Sequence, residues 1–158
     1  MTATAGLVPL ILYAVLITAA AVEDAVRLRI SNITNVAILI LGVVTLALNW
    51  GPDWWQHILA FAIALGLGVG MYSLGWFGGG DAKFLAATAF AFDLRGLLGL
   101  VVATAIAGGV LALLFVGSAL FRQRGKGSKG RNIPYGIAIA AGAVLTWFLY
   151  PGHSILAA

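Results

Sequence analysis

Charged side chains are confined to short stretches of this sequence, and five long runs between them carry none. These runs are 1–22, 30–52, 54–80, 96–121 and 132–158. Each is at least as long as the about 20 apolar residues that a helix needs to cross a bilayer. Only 9% of the residues are charged and 62% are apolar, whereas a soluble domain carries about 25% charge. The sequence therefore predicts one all-α, polytopic integral-membrane domain over residues 1–158.

A sixth uncharged run, 84–92, is short, but a helix there restores the alternation between the two sides of the membrane. We therefore predict six transmembrane helices. Their approximate bounds are 6–23, 32–49, 55–75, 82–94, 97–121 and 133–150. The fourth helix is too short for a hydrocarbon core of about 30 Å. We expect either that the membrane is thin there or that the loop before this helix enters the bilayer shielded by protein.

Lysine and arginine residues set the predicted orientation. With the N-terminus outside, Arg27, Arg29, Lys83 and the five basic residues of 122–132 lie inside or at the inner edge, and only Arg95 lies outside. This is a strong positive-inside bias. We predict that 122–132 is a flexible basic cytosolic loop. Its charges are more typical of a topology determinant that contacts anionic lipid than of a substrate-recognition site.

Three of the five acidic residues lie at the inner ends of apolar runs. Glu23 and Asp24 end the first predicted helix, and Asp81 precedes the fourth. Asp53 and Asp93 fall in outer loops, where a solvated carboxylate needs no special explanation. A carboxylate near membrane depth is costly, so the three inner acids are candidates for a functional site.

Asp24 and Asp81 each have an ordinary structural interpretation. Asp24 fits a helix-end charge that reaches water beside Arg27, and Asp81 fits an N-cap. The predicted topology, however, puts both at one face and one depth. Two carboxylates that converge in a site of low dielectric share a proton, so one acts as base and the other as acid, as activation of water against an amide requires. We expect Asp81, beside a helix N-terminus, to bind its proton less tightly than Asp24.

Three consecutive glycines, Gly78, Gly79 and Gly80, precede Asp81. Glycine permits backbone angles that are closed to other residues and lets a substrate backbone approach closely. The alternative is a flexible turn between two helices.

The remaining candidate groups point away from metal and nucleotide chemistry. The sequence has no cysteine, which excludes a thiolate zinc site and a cysteine nucleophile. We expect His57 and His153 to lie at outer, interfacial ends without partners. Gly66, Gly68 and Gly70 follow no strand, so they are better explained as close helix contacts than as a nucleotide fingerprint. We therefore expect no metal, no other cofactor and no nucleic-acid partner.

Three segments, in this order, resemble motifs of the prepilin peptidases, also called type IV leader peptidases. The first runs from Asp24 to Asn32, where Ile30 and Asn32 match the family's Ile-Pro-Asn turn and Ser31 replaces the proline. The second runs from Phe77 to Lys83 and is similar to the family's Gly-x-Gly-Asp-x-Lys. The third is Ile133-Pro134-Tyr135-Gly136, similar to a Pro-Tyr-Gly segment.

The resemblance implies a membrane aspartic protease of the Gly-x-Gly-Asp fold with Asp24 and Asp81 as the catalytic pair. It implies substrate-positioning roles for the glycines and for the third motif, namely Gly78, Gly79, Gly80, Pro134, Tyr135 and Gly136. The substrate would be a prepilin with a short basic leader and an apolar helix. The enzyme would lie in the bacterial inner membrane, among its lipids, with its active site facing the cytosol.

Family members often carry a cytosolic domain with a cysteine tetrad, which this sequence lacks. The resemblance therefore implies a minimal, peptidase-only form, most similar to those that serve Flp-type (tight-adherence) pili. An archaeal-type preflagellin peptidase remains the nearest alternative. A presenilin-type protease is disfavoured because no Pro-Ala-Leu motif is present. A small transporter or assembly subunit would favour acids at mid-membrane and a repeat of its helices, and the sequence shows neither.

Overall fold

A computed structural model describes residues 3–121 and 134–155, and within these ranges the chain is helical. Its six α-helices are α1 (Ala3–Arg27), α2 (Asn32–Leu48), α3 (Trp54–Ser73), α4 (Gly79–Ala89), α5 (Leu94–Phe121) and α6 (Tyr135–Leu149), followed by a short 3₁₀ helix at Pro151–His153. The all-α prediction is confirmed for the described residues, and each α-helix lies within a few residues of its predicted bounds. The predicted basic loop 122–132 lies outside the described residues.

Three of these helices are long and apolar enough to cross a membrane. The candidate spans are Leu7–Arg27 of α1, Trp54–Ser73 of α3 and Leu94–Leu114 of α5. Helices α2 and α6 are apolar but have only 17 and 15 residues. Large apolar side chains such as Leu98 and Phe148 are exposed on the outside of the bundle, as a surface that contacts lipid requires. Six crossings and an outside N-terminus stay predictions.

Helix α4 has only 11 residues, and nearly all of its side chains are buried by the rest of the protein. It packs against α2, α3 and α6. Gly68 of α3 permits this packing, because a Cβ there would lie 2.8 Å from the Cα of Ala82. A helix that is covered by protein need not match the thickness of a bilayer. The burial of α4 by protein accounts for its short length, and the two expectations, a thin membrane or a shielded loop before the helix, stay predictions.

Glu23 fixes the turn between α1 and α2. Its Oε2 accepts hydrogen bonds from the Ser31 amide and the Thr34 hydroxyl, both at 3.0 Å. Ser31 is the N-cap of α2, and its hydroxyl accepts the Thr34 amide at 3.0 Å. A capping serine thus stands where the family motif has proline. Leu28 ends α1 with a positive φ of 52°, a conformation that glycine adopts more readily.

The chain leaves α3 through a Schellman turn. Gly75 has a φ of 75° and donates its amide to the Tyr72 carbonyl at 2.9 Å. The Trp76 amide bonds to the Met71 carbonyl at 2.9 Å. These are the two hydrogen bonds that define the motif, and they direct the chain into the glycines before Asp81.

At the opposite end of the bundle, Asp93 ties the C-terminal segment to the start of α5. Its Oδ2 lies 2.7 Å from Nδ1 of His153, and its Oδ1 accepts the Gly96 amide at 2.7 Å. The expectation of an unpartnered His153 is therefore wrong, since Asp93 bonds to it. His57 lies in the first turn of α3 and is buried, with 8% of its surface exposed. The contact between Asp93 and His153 joins segments that are distant in sequence.

Candidate active site

Asp24 lies in the last turns of α1 and points at the start of α6. Its side chain is only 3% exposed, and its Oδ2 accepts the Gly136 amide at 2.7 Å. Gly136 is the second residue of α6, so its amide is one of the helix-start donors that have no partner within the helix. The carboxylate thereby faces the positive end of α6. Gly136 of the third motif thus hydrogen-bonds to Asp24 of the first motif.

Asp81 is the third residue of α4 and is also buried, with 8% of its surface exposed. Its Oδ2 accepts the amide of Gly78 at 3.1 Å. Gly78 is the N-cap residue of α4, so Asp81 reaches back from the N3 position as the acidic half of a capping box does. The structural interpretation of Asp81 as the N-cap itself is wrong by three positions.

The segments next to the two aspartates meet at Ile30 of the first motif. A Cβ at Gly80 would lie 3.3 Å from both the backbone N and O of Ile30. A Cβ at Gly136 would lie 3.0 Å from Cδ1 of Ile30. The structure therefore brings residues of all three motifs close to one another.

The pKa of Asp81, which lies outside the three candidate spans, depends on its burial and on the nearby Asp24. Burial raises the pKa of Asp81 to about 6, the nearby Asp24 carboxylate contributes to this rise, and the hydrogen bond from the Gly78 amide opposes it. From the helix N-terminus alone we expected Asp81 to bind its proton less tightly than Asp24, but burial acts in the opposite direction. The desolvation of the carboxylate outweighs one amide donor here, so Asp81 holds its proton up to a pH of about 6.

A cleft of about 350 Å³ opens beside Asp81. Gly78, Gly79 and Gly80 line one side of it, and the turn from Leu28 to Ile30 lies opposite. The glycines thus present backbone rather than side chains to the cleft. Asp24 does not line it. Asp81 is thus the aspartate that a group entering this cleft would meet.

Two side chains that sequence reasoning missed hold the second motif against α2. Asn35 is buried and donates Nδ2 to the Gly80 carbonyl at 3.4 Å. Lys83 donates Nζ to Oδ1 of Asn32 at 3.0 Å. The sequence did contain a sign of the role of Asn35. A carboxamide in an otherwise apolar run needs a hydrogen-bond partner, because burying an unpaired polar group is costly.

The remaining residues predicted to position substrate surround the start of α6. Pro134 is buried directly before the helix. The Tyr135 ring packs on Phe77 with 5.0 Å between the ring centroids. Among the described residues, no three His, Asp or Glu side chains cluster as metal ligands would. The aspartate pair is thus the titratable centre of the described site.

A model of the type IV leader peptidase family matches residues 10–113. The match covers well over half of the chain and contains both aspartates. The chain belongs to the type IV leader peptidase family. No curated protein and no solved structure shows significant similarity to it. The third motif lies beyond the matched residues, and its connection to this family's chemistry rests on the hydrogen bond between Gly136 and Asp24.

Membership in the type IV leader peptidase family makes the chain a protease with a peptide substrate. Its long apolar helices and the family together indicate a membrane protein. The resemblance drawn from the three motifs is thereby confirmed at the level of the family. The alternatives of a small transporter or an assembly subunit receive no such support.

Proposed function

We propose that this leader peptidase is an aspartic endopeptidase that removes the short basic leader of type IV prepilin-like precursors at the cytosolic membrane face. The observation that carries the proposal is the convergence of Asp24 and Asp81, two buried carboxylates from separate motifs whose charges act on each other. Paired carboxylates with one shared proton are the arrangement that activates water against an amide. We further propose a minimal form of the Flp type.

The raised pKa of Asp81 supports a division of roles within the pair. Asp81 begins protonated and Asp24 begins ionised. Asp24 takes a proton from a water molecule, the water oxygen attacks the scissile carbonyl carbon, and Asp81 gives its proton to the carbonyl oxygen. Asp24 then gives the proton that it took from water to the leaving amine as the C–N bond breaks, and Asp81 takes a proton back from a hydroxyl of the gem-diol as the new carboxylic acid forms. Both carboxylates thereby return to their starting protonation states, and the reaction consumes one water and one peptide bond.

The cleft beside Asp81 supports a role for the three glycines in positioning the substrate. Gly78 and Gly79 are exposed, and the first amides of α4 have no partner in the helix. An extended substrate backbone can hydrogen-bond to such donors only where no side chain intervenes. We propose that the residues around the scissile bond lie along Gly78–Gly80.

The proposal is tested by co-expressing the chain with a type IV prepilin and sequencing the N-terminus of the pilin. We expect loss of the basic leader, seen as increased gel mobility, only when the chain is present. The Glu23→Gln variant should retain activity, because a glutamine oxygen still accepts the two hydrogen bonds that Glu23 receives from Ser31 and Thr34. An intact leader in the presence of folded chain would refute the proposal. Cleavage of a preflagellin but not of a prepilin would assign the archaeal-type alternative.

The rate of leader removal should fall as the pH rises through about 6, the value to which the pKa of Asp81 is raised. Below this pH, Asp81 carries the proton that it donates to the carbonyl oxygen. Above it, both carboxylates are ionised and no acid remains. Initial rates measured with detergent-purified enzyme across the pH range would show this decline. A rate that rises steadily into the alkaline range would contradict the role given to Asp81.

A further inference from the structure

An apolar cavity of about 330 Å³ lies between α3 and α5. Leu67 and Met71 line it from α3, and Val101 and Gly108 line it from α5. The cavity is separate from the polar cleft beside Asp81, and the two share no lining residue.

Two aromatic residues of the cavity lining adjoin the glycines that bond to the aspartates. Phe77 and Tyr135 line the cavity and pack on each other at 5.0 Å. Phe77 directly precedes Gly78, whose amide holds Asp81, and Tyr135 directly precedes Gly136, whose amide holds Asp24. A ligand that fills the cavity therefore contacts the residues next to both aspartate supports.

The α5 wall of the cavity is suited to a helix. Its lining residues Ala105, Gly108, Gly109 and Ala112 follow the spacing of one helical face. Small residues on one face let a second helix approach closely within a membrane.

Access to the cavity favours an occupant that arrives through the bilayer. Its two long walls, α3 and α5, are two of the three candidate spans. The proposed substrate carries an apolar helix directly after its leader. When the scissile bond lies at the aspartates, that helix is the part of the substrate that continues from them into the apolar region.

We propose that the cavity between α3 and α5 is the subsite that binds the apolar helix of the precursor, on the C-terminal side of the scissile bond. This inference rests on the proposed function and extends it to substrate selection. The enzyme would recognise its precursors by an apolar segment that begins at the cleavage site, with Phe77 and Tyr135 contacting the first residues of that segment.

Disulfide crosslinking tests the subsite without requiring cleavage. The chain has no cysteine, so Ala112→Cys introduces a single thiol in the cavity wall. Leu113→Cys is the matched control, since Leu113 is the next residue, lies outside the lining and is 74% exposed. Both are placed in an Asp81→Asn background with a prepilin that carries one cysteine in its apolar helix. We expect a crosslink yield at least about tenfold higher for residue 112 than for 113, because only the former faces the docked helix.

A cavity-filling variant provides a second readout. A Cβ at Gly109 meets nothing within 4 Å, and the same is true of Gly66, which does not line the cavity. We compare two substrates, the full prepilin and a soluble peptide that spans only the cleavage site. Gly109→Phe should lower kcat/KM for the full prepilin, relative to kcat/KM for the peptide, by about tenfold or more. Gly66→Phe should leave this ratio unchanged.

Equal crosslinking at residues 112 and 113, or no crosslink at 112, would overturn the proposed subsite, and a lipid chain would then be the better occupant. An unchanged substrate ratio in Gly109→Phe would overturn it as well. Failure of the parent enzyme to cleave any precursor would instead refute the proposed function. The crosslinks would still report whether the apolar helix docks in the cavity.

Discussion

Asparagine in place of either Asp24 or Asp81 should slow leader removal by about 10²- to 10⁴-fold, the usual contribution of an acid or base group. Each substitution removes the titratable group and keeps the shape of the side chain. The amide oxygen of asparagine still accepts a hydrogen bond from Gly136 or from Gly78, so the site keeps its geometry. Cleavage rates of a prepilin in membranes, followed by gel mobility, would measure the loss.

Asp53→Asn provides the matched control for these two variants. The Asp53 carboxylate accepts a hydrogen bond from the Gln56 side chain at 2.9 Å on the exposed surface, so its replacement should leave the rate unchanged. Parental cleavage by both Asp24→Asn and Asp81→Asn would refute the aspartic mechanism. Loss of activity in Glu23→Gln with retention in Asp24→Asn would show that the adjacent acid performs the chemistry.

The helices of this fold were predictable because hydrophobicity and helix length are properties of continuous segments. Runs without charge gave the approximate bounds of all six described α-helices. The environment of α4 was not predictable in the same way. Its burial depends on α2, α3 and α6, and on the close approach of Gly68 to Ala82, which are tertiary contacts without a local pattern.

The aspartate pair was predictable because each residue sits in a short motif at the same end of an apolar run. The groups that hold the pair were not all predictable. Gly136 bonds to Asp24 across more than a hundred residues, and Glu23 clamps the turn at Ser31. Whether a carboxylate accepts an amide from its own helix or from a distant one is decided by the packing of the helices.

The direction of the pKa of Asp81 shows the same dependence. A helix N-terminus lowers the pKa of a nearby carboxyl group. The sequence indicates this effect for Asp81, because it places Asp81 at the start of the fourth predicted helix. Burial and the charge of Asp24 raise the pKa of Asp81, and both arise only when the bundle is assembled. The sequence therefore identified two acidic candidates, but it could not show the burial that raises the pKa of Asp81.

Alanine in place of Gly136 should reduce cleavage by about 10²-fold, because a misplacement of about 1 Å at a catalytic group has an effect of that size. The added Cβ would lie 2.8 Å from Oδ2 and 2.9 Å from Cβ of Asp24, and 3.0 Å from Cδ1 of Ile30. These separations are shorter than normal carbon contacts. Either Asp24 or the start of α6 must move, and the 2.7 Å hydrogen bond between them is then lengthened.

The effect of Gly136→Ala should be measured as kcat on folded protein, because the overpacked Cβ is expected to lower the melting temperature as well. Gly66→Ala is the matched control, because a Cβ there meets nothing within 4 Å. Gly80→Ala should fall between the two, with its Cβ 3.3 Å from the Ile30 backbone. This graded order follows from how closely each glycine contacts the aspartate motifs. Parental activity in folded Gly136→Ala would show that the working enzyme does not hold Asp24 against α6, and the third motif would then lose its place in the mechanism.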